Sequence, residues 1–472
     1  MLYLLQTNIV TMFSRETYLK RQQELLSKVN AGVILLLGNE DSPMNYADNA
    51  YYFRQDSSFL YYFGLTRPGL YALLDTNSGR ITIYGDDYTV EDFVWMGKQP
   101  AIQDLTVQCG VEYTGTIKEL KNSLDLSIKR KEMIHFLPPY RSEHSLKIHK
   151  LLGVPLEKIK EESSEDLIRV IVSQRNYKTA EELVEIEKGV DTTVNMHVKA
   201  MKMLRPGMKE LDVVLEIEKI AKATGGNISF PTIATINGQF LHNHYYGNTV
   251  KEGQLFLLDA GAEVPSGYAG DLSSTFPVGK TFSGLQKEIF NIVLKAHYAS
   301  VDELKPGNEF KNAHSKACLK IAEGLKGIGL MKGNPAEAVE AGAHALFFPC
   351  GTGHMMGLDI HDMENFGEVE VGYGGKPKST QFGLKSLRLG RELEPGFVLT
   401  IEPGIYFIPE LIDQWRSQAK FMEYLNYDAI EKFKDFGGIR NEENYLITPE
   451  GKRLLGSKKK PMLIDEIEAL RK

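Results

Sequence analysis

Glu252-Gly253-Gln254-Leu255-Phe256-Leu257-Leu258-Asp259-Ala260-Gly261 and Glu394-Pro395-Gly396-Phe397-Val398-Leu399-Thr400-Ile401-Glu402-Pro403-Gly404 make nearly the same statement 143 positions apart. Each runs from a turn glycine through an apolar, β-rich segment to a carboxylate, with a further glycine behind it. Two strands ending alike in an acid predict two half-domains that face each other and aim their carboxylates at one centre. Carboxylates forced together repel unless a cation joins them, so a metal site is expected around Asp259 and Glu402.

A second echo supports the two halves. Leu204-Arg205-Pro206-Gly207 leads into a helical pattern through Leu215 and Ile220, and Leu304-Lys305-Pro306-Gly307 leads into another through Cys318 and Ile321. These Pro-Gly pairs lie 100 positions apart, so the second half carries an insertion, expected mostly between 359 and 391, where Gly372-Tyr373-Gly374-Gly375-Lys376-Pro377 reads as a loop. Upstream, β-rich runs at 32–38, 70–75 and 81–84 alternate with helical segments, which predicts an α/β domain over residues 12–176. A charged stretch at 158–165 and the polar 173–178 mark its end, and Thr179, with Glu182 as reciprocal partner, is the expected N-cap of a long helix that opens a second domain, 177–456. Residues 457–472 read as a surface tail or short helix. Residues 1–11 are apolar but lack the basic and small-residue marks of a signal peptide, so they read as a non-native or flexible extension, with Met12 a candidate natural start.

At 472 residues the chain exceeds one ordinary core. With 42% hydrophobic and 25% charged residues it reads as globular and soluble, and a net charge of −7 provides no basic footprint for nucleic acid. No apolar run approaches the roughly 20 residues that cross a bilayer. Three scattered cysteines, Cys109, Cys318 and Cys350, fit neither a disulfide framework nor a zinc ribbon. A cytoplasmic protein that binds small molecules or peptides, with no nucleic-acid or membrane partner, is expected.

After Asp259 the chain turns through Pro265-Ser266-Gly267 and returns to Asp271, a hairpin length that sets the two acids within bridging reach of one ion pair. Apolar flanks weaken the alternative of two solvated turn aspartates. Cys350-Gly351-Thr352-Gly353-His354 and the following His361-Asp362 set two histidines among glycines, where imidazole can add a nitrogen ligand to an oxygen-rich site. In Gly437-Gly438-Ile439-Arg440-Asn441-Glu442, Arg440 and Glu442 share a face if the segment is one strand, and Arg440 can clamp the acids from behind. Asp259, Asp271, Glu402 and Glu442 ionised together are an intolerable cluster in a partly buried pocket. Two divalent ions cancel their charge, and Arg440 offsets that of a shared hydroxide. Such donors suit Mn²⁺ first, with Co²⁺, Fe²⁺ or Zn²⁺ as alternatives. A pair of ions sharing a water implies hydrolysis, with Glu402 carrying the proton to the leaving nitrogen and histidines meeting the oxyanion.

These residues, with the phrases Gly353-His354-Met355-Met356-Gly357-Leu358-Asp359-Ile360-His361-Asp362 and Leu399-Thr400-Ile401-Glu402-Pro403-Gly404-Ile405-Tyr406, resemble the pita-bread metallopeptidases, which include methionine aminopeptidases, Xaa-Pro aminopeptidases, prolidases and the metal-free creatinases. The resemblance makes Asp259, Asp271, His354, Glu402 and Glu442 the metal ligands. All five are filled, which speaks against a non-catalytic binding module. Phe53-Arg54-Gln55-Asp56-Ser57-Ser58-Phe59-Leu60-Tyr61-Tyr62-Phe63-Gly64 resembles the signature of the amino domain that Xaa-Pro aminopeptidases and prolidases share. The implied architecture is a creatinase/aminopeptidase-P-like α/β domain followed by a pseudo-twofold pita-bread catalytic domain, assembled as a dimer or tetramer. The implied activity is a dimetal exopeptidase cleaving the bond before proline in a proline-containing peptide. The resemblance also gives His361 and His242 to the substrate, with His244 the lesser candidate. Cys350 departs from it, standing where histidine is usual.

An Xaa-Pro aminopeptidase is the first expectation and an Xaa-Pro dipeptidase the alternative. Arg388, in Ser386-Leu387-Arg388-Leu389-Gly390-Arg391, resembles the arginine with which prolidases read a free carboxylate. A surface ion pair between Arg388 and Glu392 at helical spacing is the plainer reading. Trp95, in Val94-Trp95-Met96-Gly97-Lys98, is also prolidase-like and is expected to reach a neighbouring subunit's site.

Overall fold

The computed structural model describes residues 12–472. The expectations for residues 1–11 lie outside the described residues. The chain forms two compact units, one running to Arg175 and including Asn365–Gly367, the other comprising Asn176–Glu364 and Glu368–Lys472.

The first unit is built on a five-stranded mixed sheet in the order Tyr113–Gly115, Ile81–Tyr84, Tyr71–Asp75, Val33–Leu37, Ile134–Phe136. Its inner pairs are antiparallel and its outer pairs parallel. Val33–Leu37 is buried almost throughout, as its unbroken Val-Ile-Leu-Leu-Leu run requires. The helix Ser57–Phe63 starts where the Asp56 carboxylate accepts from the Phe59 amide and stops at Gly64, whose φ of 64° is left-handed. A Cβ there would stand 2.1 Å from the Tyr18 hydroxyl oxygen, so glycine is required for packing as well as for the turn.

In the second unit each half places two helices ahead of a three-stranded antiparallel sheet. Helices Ala180–Met203 and Glu210–Ala223 precede the sheet of Ile233–Thr235, Leu255–Ala260 and Leu272–Pro277. Helices Gly284–Asp302 and Phe310–Gly327 precede the sheet of Val398–Ile401, Glu443–Thr448 and Gly451–Leu454. Thr179 and Glu182 form the expected capping box. The repeated apolar runs supply the core: Phe256, Leu257, Leu258, Val398, Leu399 and Ile401 are at most 1% exposed. Burying each such side chain contributes about 1.5–3 kcal/mol.

Three expectations need correction. Arg440 and Glu442 do not share one strand: Gly438–Arg440 pairs with Gly404–Tyr406, whereas Glu443–Thr448 pairs with Val398–Ile401. Pro403 interrupts the partner strand because it has no amide hydrogen to donate, and the chain opposite breaks at Asn441-Glu442. The insertion is less purely loop than expected, holding a helix at Glu368–Tyr373 and short turns at Glu364–Phe366 and Leu384–Ser386. The C-terminal segment, expected as a surface tail or short helix, is the helix and not the tail. Its helix, Ile464–Leu470, buries Ile467, and Arg471, 1% exposed, donates from Nε to the Gly279 carbonyl at 2.6 Å and from Nη2 to the Leu204 carbonyl at 2.8 Å.

Candidate metal centre

The hairpin register sets Asp259 opposite Ser273, and Asp271 stands two residues before Ser273. Alternation along a strand therefore puts all three side chains on one face. In the other half Ile401 pairs with Glu443, so one step further Glu402 faces Glu442. Residues 352–356 lie against this second strand: the Thr400 amide donates to the His354 carbonyl at 3.0 Å and the Glu402 amide to the Thr352 carbonyl at 2.7 Å. Gly353 permits that approach, since a Cβ would stand 2.0 Å from the Thr400 carbonyl oxygen.

These three segments bring the five expected ligands together. His354 Nε2 is 3.4 Å from Asp271 Oδ2 and 3.6 Å from Glu402 Oε1, and its Nδ1 is 3.0 Å from the Met355 carbonyl. That backbone contact fixes Nδ1 as the protonated nitrogen and leaves Nε2 to coordinate. Donor atoms of Asp271, His354 and Glu442 fall within 4.8 Å of one another. Asp259 is held by Arg440, whose Nη2 donates to Asp259 Oδ2 at 2.5 Å; its Nε donates to Ser273 Oγ at 2.9 Å and its Nη1 to the Tyr406 hydroxyl at 2.9 Å. Ser273 in turn donates to Glu442 Oε2 at 2.9 Å.

Two carboxylate oxygens, Asp259 Oδ1 and Glu442 Oε1, are buried with no hydrogen-bond partner. Leaving such atoms unsatisfied is costly, and cations answer the deficit. Burial, followed by the Asp271 and Asp259 charges, pushes the Glu402 carboxyl up to about 7. Glu442 is driven well above the carboxylate range by burial and then by Asp271, and Asp271 is raised chiefly by burial. The raised carboxyls of Glu402, Glu442 and Asp271 mark a buried cluster in which the ionised forms repel. The donor set therefore fits divalent ions.

The acids line a cavity of about 480 Å³, together with His242, His244, His361, Arg388 and Cys350. The His361 ring centroid lies 4.1 Å from that of His354. Burial first, then His354, holds His361 down at about 4, so it is neutral near pH 7, with Nδ1 hydrogen-bonded to Glu364 Oε2. His242 is lowered by burial and then by Arg440. Arg388 pairs with Glu364 and Glu368, not with Glu392, because the chain around it is not helical. The Cys350 thiol is pushed up to about 12 by burial and then by Glu402, which leaves it un-ionised and a poor nucleophile. Every lining residue belongs to the second unit; Trp95, on the helix Val90–Met96 of the first, is 82% exposed and not among them.

Four participants were not anticipated from sequence. Ser273 and Tyr406 are held by Arg440, Glu364 joins His361 to Arg388, and buried Lys460 donates to the Ser273 carbonyl. Glu364 lies three residues after His361, a spacing that offered a weak signal. Lys460 offered none, being 187 residues from Ser273 in sequence.

The chain is similar to known proteins over most of its length. Residues 185–449 match metallopeptidase family M24, and residues 18–135 match the aminopeptidase P N-terminal domain. The chain is 30% identical to the Xaa-Pro dipeptidase of Homo sapiens, over 93% of this chain and 89% of that protein. It is 28% identical to the Xaa-Pro aminopeptidase of Escherichia coli, over 97% of this chain and 98% of that protein. Among solved structures, zinc-substituted E. coli aminopeptidase P in complex with product superposes with a TM-score of 0.79 at 26% identity, covering 97% of this chain and 98% of that one. Proline aminopeptidase P II from Yersinia pestis gives 0.81 at 25% identity, covering 97% and 99%.

Proposed function

Because the chain belongs to metallopeptidase family M24, we propose that its second unit is a dimetal exopeptidase that cleaves between an N-terminal residue and a following proline. The observation that carries this is the joining of Asp259, Asp271, His354, Glu402 and Glu442 around one cavity, with two buried carboxylate oxygens left unsatisfied. These five residues would hold two divalent ions, Mn²⁺ by preference for oxygen donors. When bound, the ions supply an acidic water and polarise the scissile carbonyl.

The protein's own groups do the rest. Glu402 carries a carboxyl able to hold a proton near pH 7, and the proline nitrogen, which has no hydrogen of its own in the peptide bond, needs one to leave. His361, with Nδ1 engaged by Glu364, presents Nε2 to the substrate, and His242 lines the same cavity. Arg440, which also lines the cavity, orients Asp259. A cavity of about 480 Å³ accommodates a short peptide. The two midsections of the relatives' names, aminopeptidase and dipeptidase, are both compatible with it. A binding module without turnover finds no support in a complete ligand set.

One observation favours the dipeptidase as second reading: Arg388 lines the cavity, where a guanidinium fork can read the free carboxylate of an Xaa-Pro dipeptide. Against it, Glu364 and Glu368 already occupy Arg388. Among the described residues no helix is long and apolar enough to cross a membrane. With all three cysteines free, we place the protein in the cytoplasm, as a homo-oligomer in which Trp95 reaches a neighbour's site.

The manganese-loaded protein is to be assayed on an Xaa-Pro dipeptide beside an Xaa-Pro-Xaa tripeptide. Tripeptide cleavage indifferent to Arg388→Ala establishes the aminopeptidase. Cleavage of the dipeptide alone, lost in Arg388→Ala, establishes the dipeptidase. Inertness toward both after loading overturns the proposal.

A further inference from the structure

We infer that His314, Cys318 and His344 form a separate site for one thiophilic metal ion. His314 and Cys318 stand one turn apart on the helix Phe310–Gly327 and so share a face. His344, on the turn Ala343–Leu346, meets that face. Donor atoms of the three lie within 4.8 Å of one another, and each residue is at most 1% exposed.

The partners of these side chains point to a missing ligand. His314 Nδ1 is 2.7 Å from Thr352 Oγ1, which fixes the ring, and its Nε2 is 3.4 Å from Cys318 Sγ. Donors around a tetrahedral ion with bonds of about 2.0–2.3 Å stand roughly 3.3–3.8 Å apart, so this pair is already at coordinating separation. Neither ring nitrogen of His344 makes a hydrogen bond; the Val339 carbonyl lies alongside without adequate alignment. An ordinary core histidine would satisfy at least one of them.

The set contains no carboxylate, unlike the dimetal cavity, so it selects soft or borderline ions. One thiolate and two neutral imidazoles balance the single charge of Cu⁺. Zn²⁺ leaves one positive charge in a dry site, so Cu⁺ is the better match for these three donors. An occupied site would brace Thr352, whose carbonyl accepts from the Glu402 amide.

The test adds Zn²⁺, or Cu⁺ under reductant, to the manganese-loaded protein and reads metal stoichiometry with near-ultraviolet thiolate charge transfer. One further equivalent is expected, lost in Cys318→Ser and retained in Asp271→Asn, which disables the dimetal cavity. Tighter uptake of Cu⁺ than of Zn²⁺ is the selectivity expected of one thiolate and two imidazoles. Should Cys318→Ser fail to fold by circular dichroism, His344→Leu removes a ligand while adding apolar volume and must abolish the same equivalent. No additional equivalent with either ion, or one that survives both Cys318→Ser and His344→Leu, overturns the inference.

Discussion

Asp259 and Glu402 occupy matching places in the two halves, yet their surroundings divide their work. A guanidinium at 2.5 Å commits one oxygen of Asp259, whereas Glu402, buried beside other acids, is pushed up to about 7. Of the two, Glu402 is the proton carrier in the proposed reaction. Glu402→Gln is therefore expected to lower kcat by roughly a hundred- to ten-thousandfold, the usual range for losing general acid–base catalysis, while part of the bound metal remains; elemental analysis beside steady-state kinetics checks both halves. The same residue sets a pH dependence. In the metal-free protein Glu402 keeps its proton below about 7, and an incoming cation must displace it. Glu402's share of the metal affinity should weaken by up to about tenfold per pH unit below that value, on top of a dependence that persists above it because Glu442, driven well above the carboxylate range by burial, must shed its proton too; titration calorimetry at pH values either side of 7 measures both.

At the scale of the element, a buried ion pair anchors the loop that bears His361. Lys178 Nζ meets Asp362 Oδ2 at 2.8 Å with both side chains 1% exposed, and the Asp362 amide donates to the Met355 carbonyl. Asp362→Ala would take the Asp362 carboxylate from a buried ammonium, a change expected to destabilise by up to about 3–5 kcal/mol. Denaturant unfolding of the metal-free variant checks it; a loss below about 1 kcal/mol would mean that the pair is not what anchors the loop. Local pattern made the paired strands and the hairpin legible, because glycines bound their apolar runs and the acid follows at a fixed distance. It misread Arg440 and Glu442 as one strand because the cause of the break, Pro403, lies on the partner strand. Glu364 was passed over because its two partners, His361 and Arg388, meet only when the insertion folds back.

For the whole molecule, four acids and a histidine gathered at one centre make folding and metal binding one equilibrium. The complete site exists only in the folded chain, so ions raise stability by mass action, about 2.7 kcal/mol for a site at a hundred times its Kd. Chelation of the manganese-loaded protein should lower Tm, and re-addition should restore it; an unchanged Tm in calorimetry would show that the acids tolerate one another without cations. The sequence by itself determined the two halves, the family and which five residues to propose as ligands, since strand-end position and residue chemistry are local properties that survive without coordinates. Tertiary structure decided what surrounds them: which acid Arg440 neutralises, that Arg388 reaches the cavity already paired, that Lys460 returns from the C-terminal segment beneath Ser273, and that His314, Cys318 and His344 converge. Those outcomes depend on burial and on contacts between residues far apart in the chain, and neither is fixed until the core has closed around them.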